Sequence, residues 1–220
     1  MKKKTSETVI IEGRYYTIAA ANGRVLEVAN YNPDSGAAIQ LWDYAGAQWQ
    51  QWEFIPVGSD TYRICNRFTG KAIDLCLGGT VNGTWLHQWE PNTGKSQQWK
   101  LETTDDGFVR FRSVVADKYL DLYQAFSGNG ARAQIWSDND GTNQRWTLKD
   151  VTDKQSIRPS EAQMEKKLKA QVEEAAKEAQ KAAKKERKAS TAKKTTKKAT
   201  AKSTAEKTPK KTTKKAAEEK

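Results

Sequence analysis

Cysteine, methionine and histidine are nearly missing from this chain of 220 residues, at two, two and one copies. Two cysteines cannot supply a disulfide framework. Cys65 and Cys76 fall at staggered places in neighbouring strands and are read as free thiols. A lone histidine with no Cys/His cluster offers no metal site, and no cofactor is expected. No segment approaches the ~18 apolar residues of a membrane-spanning helix. Met1-Lys2-Lys3-Lys4 has the charge of a secretory n-region, but the Thr-Ser-Glu-Thr-Val-Ile-Ile-Glu after it has no apolar core. The default compartment is therefore the cytoplasm, with secretion or cell-surface placement by a leaderless route as the alternative. Nucleophile-elbow, phosphate-cradling and metal-binding motifs are also missing, so a non-enzymatic role is expected.

Aromatic residues run out too. All eight Trp, seven Tyr and five Phe lie at or before Trp146. Charge divides at almost the same place: residues 1–150 carry a net −1 and residues 151–220 a net +12, which together give the +11 of the chain. The first segment is long enough to bury a core; the second has almost nothing to bury. Arg158-Pro159 breaks the chain, and Ser160 with Gln163 has the form of a helix capping box. The Ala/Glu/Lys/Gln-rich stretch that follows predicts a charged, solvent-exposed helix over 160–189, with a thin apolar stripe at Met164, Leu168 and Val172. The Lys/Ala/Thr-rich residues 190–220 predict a disordered tail.

The aromatic segment repeats itself. Trp52, Trp99 and Trp146 are 47 residues apart, each closing a Gln-x-Trp triplet. Ten residues before each lies another tryptophan, at 42, 89 and 136. Leu26-Glu27-Val28, Ile73-Asp74-Leu75 and Leu120-Asp121-Leu122 keep the same spacing, as do Gly36, Gly83 and Gly130, placed for chain reversals. Alternation such as Tyr62-Arg63-Ile64 and Val109-Arg110-Phe111 marks half-buried strands, about four per repeat. The fold class is all-β. In Leu120-Asp121-Leu122 the alternation points both leucines one way and Asp121 the other. The Gln-x-Trp tryptophans read as core; their glutamines read as partners of loop backbone groups. Trp42, Trp89 and Trp136 read as close to even between core and site, and outward-facing Asp74 and Asp121 tip them toward the site. His87, alone, reads as a polar surface residue.

These three repeats resemble the ricin B-chain lectin family, and the resemblance covers roughly residues 13–149. It implies a β-trefoil of three 47-residue repeats that binds sugars, commonly galactose-type ones. The domain is placed at 13–150, between an N-terminal arm (1–12) and a linker (151–159). The tail, by composition, is similar to linker-histone-like tails. In the family each repeat places an Asp, a Gln, an aromatic and an Asn before the Gln of Gln-x-Trp around one shallow pocket. Repeat three has the whole set: Asp121, Gln134, Trp136, Asn143 and Gln144. Repeat two keeps Asp74, Trp89 and Gln97, with His87 and Ser96 at the other two positions. Repeat one keeps Gln40, Trp42 and Gln50 but has Glu27 for the Asp and Trp49 for the Asn, which ranks it last. The chemistry fits: a ring stacks on the C–H face of a pyranose, and carboxylate and amide groups read its hydroxyl rim. Asp74 and Asp121 do not make a glycosidase pair, because repeat symmetry sets them in different lobes, beyond the ~5–9.5 Å such chemistry needs.

The leading expectation is a multivalent, non-enzymatic lectin whose partners are glycans or glycoconjugates, with its best site in repeat three. Two alternatives stand beside it. One is polyanion or nucleic-acid association through residues 151–220, with the trefoil as an adaptor. The other is a trefoil used for protein binding. No obligate oligomer is indicated.

Overall fold

The computed structural model describes residues 10–154 and 158–159, with helical positions 163–166, 169–170, 172–173, 176–177, 180–181 and 184. Most of the N-terminal arm, Ser160 of the capping box, Leu168 of the apolar stripe and the whole 190–220 tail lie outside the described residues. The chain divides into two compact units, Met1–Lys167 and Leu168–Lys220. In the second, the described helical positions include exposed Val172 and a Glu173–Lys177 ion pair one turn apart at 2.7 Å. Such a pair on an exposed helix contributes only about 0.3–0.5 kcal/mol. No helix among the described residues is long and apolar enough to cross a membrane.

The first unit is built of β-strands: β1 (Tyr15–Ala19), β2 (Val25–Val28), β3 (Ile39–Trp42), β4 (Trp52–Gly58), β5 (Thr61–Asn66), β6 (Ala72–Leu75), β7 (Leu86–Trp89), β8 (Trp99–Thr103), β9 (Val109–Ser113), β10 (Tyr119–Leu122), β11 (Ala133–Trp136) and β12 (Thr147–Asp150). Six of them form a ring. β1 pairs with β4, β4 with β5, β5 with β8 and β8 with β9, all antiparallel. Val109 then bridges to Trp146 at the entry to β12, and β12 returns to β1 with Ile18 opposite Leu148. Closure leaves the ring without an open edge for another chain to join. The backbone N–H of Val151 also bonds the Tyr15 carbonyl at 2.8 Å, and Val151 is buried, so the contact with β1 runs one residue past β12.

The other six strands make three hairpins, β2–β3, β6–β7 and β10–β11. Each hairpin leans on the next through a glycine. The N–H groups of Gly36, Gly83 and Gly130 donate to the carbonyls of Gln88, Ile135 and Leu41 at 2.8, 3.0 and 2.9 Å. Their φ angles are +92°, +86° and +83°, where an L side chain is strained. Repeat one thus leans on repeat two, two on three, and three on one. This is the β-trefoil arrangement that the family resemblance implies.

The tryptophans separate into two layers. Trp52, Trp99 and Trp146 have no exposed surface and pack with Phe54, Phe111, Ile18 and Ile64 in the core. Their indole N–H groups donate to the carbonyls of Leu26, Ile73 and Leu120 at 3.0, 3.4 and 3.3 Å. Each of those residues immediately precedes a site carboxylate, at 27, 74 or 121. The core therefore fixes the strand that carries the acid. Trp42, Trp89 and Trp136 remain about two-fifths exposed, at 42, 43 and 39%. Both cysteines are free: Cys65 is buried opposite Ala72, and burial pushes its thiol up to about 11.

Candidate sugar-binding site

Repeat three brings Asp121, Gln134, Trp136 and Asn143 around one cavity of about 380 Å³, which Tyr123, Gln124, Ala125 and Asn139 complete. β10 supplies the acid and β11 the next two; Asp121 faces Gln134 directly across the hairpin. The Gln134 amide nitrogen donates to Asp121 Oδ1 at 2.8 Å. On Oδ2 converge the amide of Gln144, at 3.0 Å, and that of Asn143. The strand alternation turns Asp121 away from the leucines, but it does not point outward into solvent: the amides leave it only 2% exposed. Burial raises the Asp121 carboxyl above the ordinary carboxylate value, and the amides of Gln134, Gln144, Asn139 and Asn143 oppose that rise.

Gln144 does not line the cavity; it holds the wall. Its amide nitrogen also donates to the Ser137 carbonyl at 2.9 Å, and its oxygen accepts from the Asn139 N–H at 3.4 Å. Arg110 donates to the same oxygen at 3.0 Å while pairing with Asp138 at 2.6 Å. Gln50 and Gln97 repeat this device. They donate to the carbonyls of Asp43 and Glu90, both at 2.9 Å, and accept from the N–H groups of Ala45 and Asn92 at 2.7 and 2.9 Å. One buried amide thus satisfies both ends of each loop that borders a site. The oxygen of Gln134 is different: it is buried without any hydrogen-bond partner.

Repeat two is altered where its sequence departs from the pattern. Gln97 donates to Asp74 Oδ2 at 2.9 Å, as its counterpart does. His87 faces Asp74 across β6–β7, but Asp74 Oδ1 is buried with no partner. The reading of His87 as a polar surface residue is corrected. It is only 9% exposed, and its ring stacks on Trp89 with centroids 5.2 Å apart. Burial lowers its pKa, against a raising effect from Asp74. Asp74 itself is 6% exposed, buried like Asp121.

Repeat one forms a cavity of about 170 Å³, lined by Glu27, Asn30, Tyr31, Gln40, Trp42, Ala45, Trp49 and Gln50. The longer Glu27 still receives both amides, from Gln40 at 2.9 Å and Gln50 at 3.0 Å. Trp49 stands where an amide is expected and leans on Tyr31, ring centroids 5.1 Å apart.

Sequence reasoning missed the far wall, Tyr123 to Ala125. Gln124 and Ala125 have φ of +55° and +53°, a left-handed turn just after β10. The matching pairs are Asn30–Tyr31 at +61° and +44° and Leu77–Gly78 at +54° and +65°. Asn30 and Gly78 are residue types that tolerate this region, and were the available signal. Asp74 is not among the residues lining the Asp121 cavity, and among the described residues no group of three metal ligands gathers.

A family model described as ricin-type beta-trefoil lectin domain-like matches residues 8–89, 77–136 and 95–180. The chain belongs to that family. Among solved structures it is similar to ThreeFoil, a designed 3-fold symmetric protein, with 32% identity over 62% of this chain and 99% of that one, at a TM-score of 0.61. It is similar as well to an exo-beta-1,3-galactanase from Clostridium thermocellum, with 33% identity, 65% of this chain covered and a TM-score of 0.62. The match spans only 31% of the galactanase chain. The C-half of an earthworm R-type lectin, solved in complex with GalNAc, shares the fold at 20% identity, 63% of this chain, 99% of that one and a TM-score of 0.52. No curated protein matches the chain.

Proposed function

We propose that this ricin-type trefoil is a non-enzymatic, multivalent lectin whose principal sugar site is the repeat-three cavity. One observation carries the reading: a buried carboxylate held by three amides, beside a buried and unpartnered Gln134 oxygen, under the half-exposed ring of Trp136. A small rotation of Gln134, which lines the cavity, would bring that oxygen to a sugar hydroxyl, while the pyranose face lies on the indole. Asp74, His87, Trp89 and Gln97 form the second site, where Asp74 Oδ1 is the buried oxygen without a partner. Single shallow sites of this kind bind in the millimolar range, about −4 kcal/mol, and clustered glycans gain ~10²-fold or more by avidity.

The test is a glycan-array screen of the whole protein with Asp121→Ala and Asp74→Ala. Loss of about 10- to 100-fold in Asp121→Ala, the scale of hydrogen bonds to a charged group, is expected. A smaller loss in Asp74→Ala would rank the sites as proposed. A folded protein that binds no glycan at all refutes the lectin.

Charge segregation favours a second reading, in which residues 151–220, at net +12, hold a polyanion. Nucleic-acid affinity that falls steeply with salt, and disappears when the chain stops after residue 159, is its signature.

A further inference from the structure

Repeat one has the frame of a sugar pocket with two of its positions changed, Glu27 and Trp49. Its cavity has less than half the volume of the one in repeat three, 170 against 380 Å³. The amides of Gln40 and Gln50 donate to Glu27, as those of Gln134 and Gln144 do to Asp121, and Asn30 also lines the cavity. The position that would add a third amide is an indole. Beside Asn30 and Ala45, three aromatic residues line the cavity: Trp42, 42% exposed, and the Tyr31–Trp49 pair, whose rings meet at 55°. Glu27, 4% exposed, also lines the cavity.

A pyranose needs one flat face and a ring of polar partners. Several π faces around a small cavity beside a carboxylate suit a different ligand: a compact cation with no hydrogen to donate. Ring quadrupoles attract such a cation, and a carboxylate adds to the attraction. We propose that the repeat-one pocket binds a quaternary ammonium group of the choline type. The substitutions Glu27 and Trp49, which weaken the pocket for sugars, are the same ones that suit it to this ligand. The site is independent of the sugar reading, which rests on repeats two and three.

The test is an NMR titration of the full chain, following tryptophan indole N–H signals, with choline and with its neutral tert-butyl isostere. Choline should move the Trp42 and Trp49 signals and saturate at roughly millimolar concentration. The isostere, equal in shape but uncharged, should bind about 3- to 30-fold more weakly. Trp42→Ala and Tyr31→Ala should each weaken choline by about 10-fold, and both sit at partly exposed positions that the core does not need. Asp121→Ala should leave choline binding unchanged while removing the sugar response of repeat three. A trimethyllysine titration decides the source: preference for choline points to a choline-bearing ligand, preference for trimethyllysine to a methylated peptide, and either supports the site. Equal binding of choline and isostere overturns the proposal, as do unmoved indole signals or a choline response that depends on Asp121.

Discussion

Repeat one and repeat three share a backbone plan and differ in what it encloses. Each has the core tryptophan bonded to the carbonyl before the acid, the buried glutamine spanning its loop, and the left-handed turn after the second strand. Glu27 and Trp49 against Asp121 and Asn143 account for much of the contrast between a tight aromatic corner and a wide, amide-lined bowl. Trp52 and Trp146 hold that plan without lining either cavity, so residues around a cavity can differ while the fold stays.

The strongest test of that separation is in the core. Trp52→Ala and Trp146→Ala should each cost about 3–5 kcal/mol in chemical denaturation, with no difference between the repeats. Trp136→Ala, ten residues from Trp146 and 39% exposed, should cost under about 1 kcal/mol and lose sugar binding instead. A Trp136 variant as unstable as Trp146→Ala would erase the distinction between the two layers.

A smaller effect is expected where the repeats meet. A Cβ added at Gly83 would lie 3.7 Å from the Trp136 ring, on a backbone with φ of +86°. The contact is ordinary and the backbone is not, so Gly83→Ala should cost about 1–2 kcal/mol through strain alone. Gly130→Ala, 4.0 Å from Trp42 at φ of +83°, should cost the same. Unequal costs in thermal unfolding would show that the repeats differ in frame as well as in site.

The smallest effect is electrostatic. The Asp121 carboxyl is held above its ordinary value, chiefly by burial. The folded state therefore keeps its proton to higher pH than the unfolded state does. This contribution to stability is complete below the unfolded pKa and declines as pH rises through the folded one. Asp121→Asn should flatten that decline in urea titrations across the window from the ordinary carboxylate pKa upward. A steeper decline in the variant would reverse the sign.

Much was legible in the residues themselves. The 47-residue period and the core role of Trp52, Trp99 and Trp146 follow from repetition, since three copies of one backbone put like residues in like places. The burial of Asp121 was not legible. Local alternation turns it from the leucines, but its cover comes from residues 13 and 23 positions away, which only hairpin pairing and the loop bring over it. His87 was misjudged for the same reason: its ring is covered because Trp89 and Asp74 are its neighbours in space.

By itself the sequence determined the three-fold repeat and the all-β core, because periodic burial is written one residue at a time. Only the tertiary structure decided what lines each cavity. Cavity size, the far wall at Tyr123 to Ala125, and the oxygens left unpartnered at Asp74 and Gln134 depend on side chains from separate strands and loops meeting. Hydrogen-bond satisfaction is a property of that meeting, and no single stretch of sequence contains it.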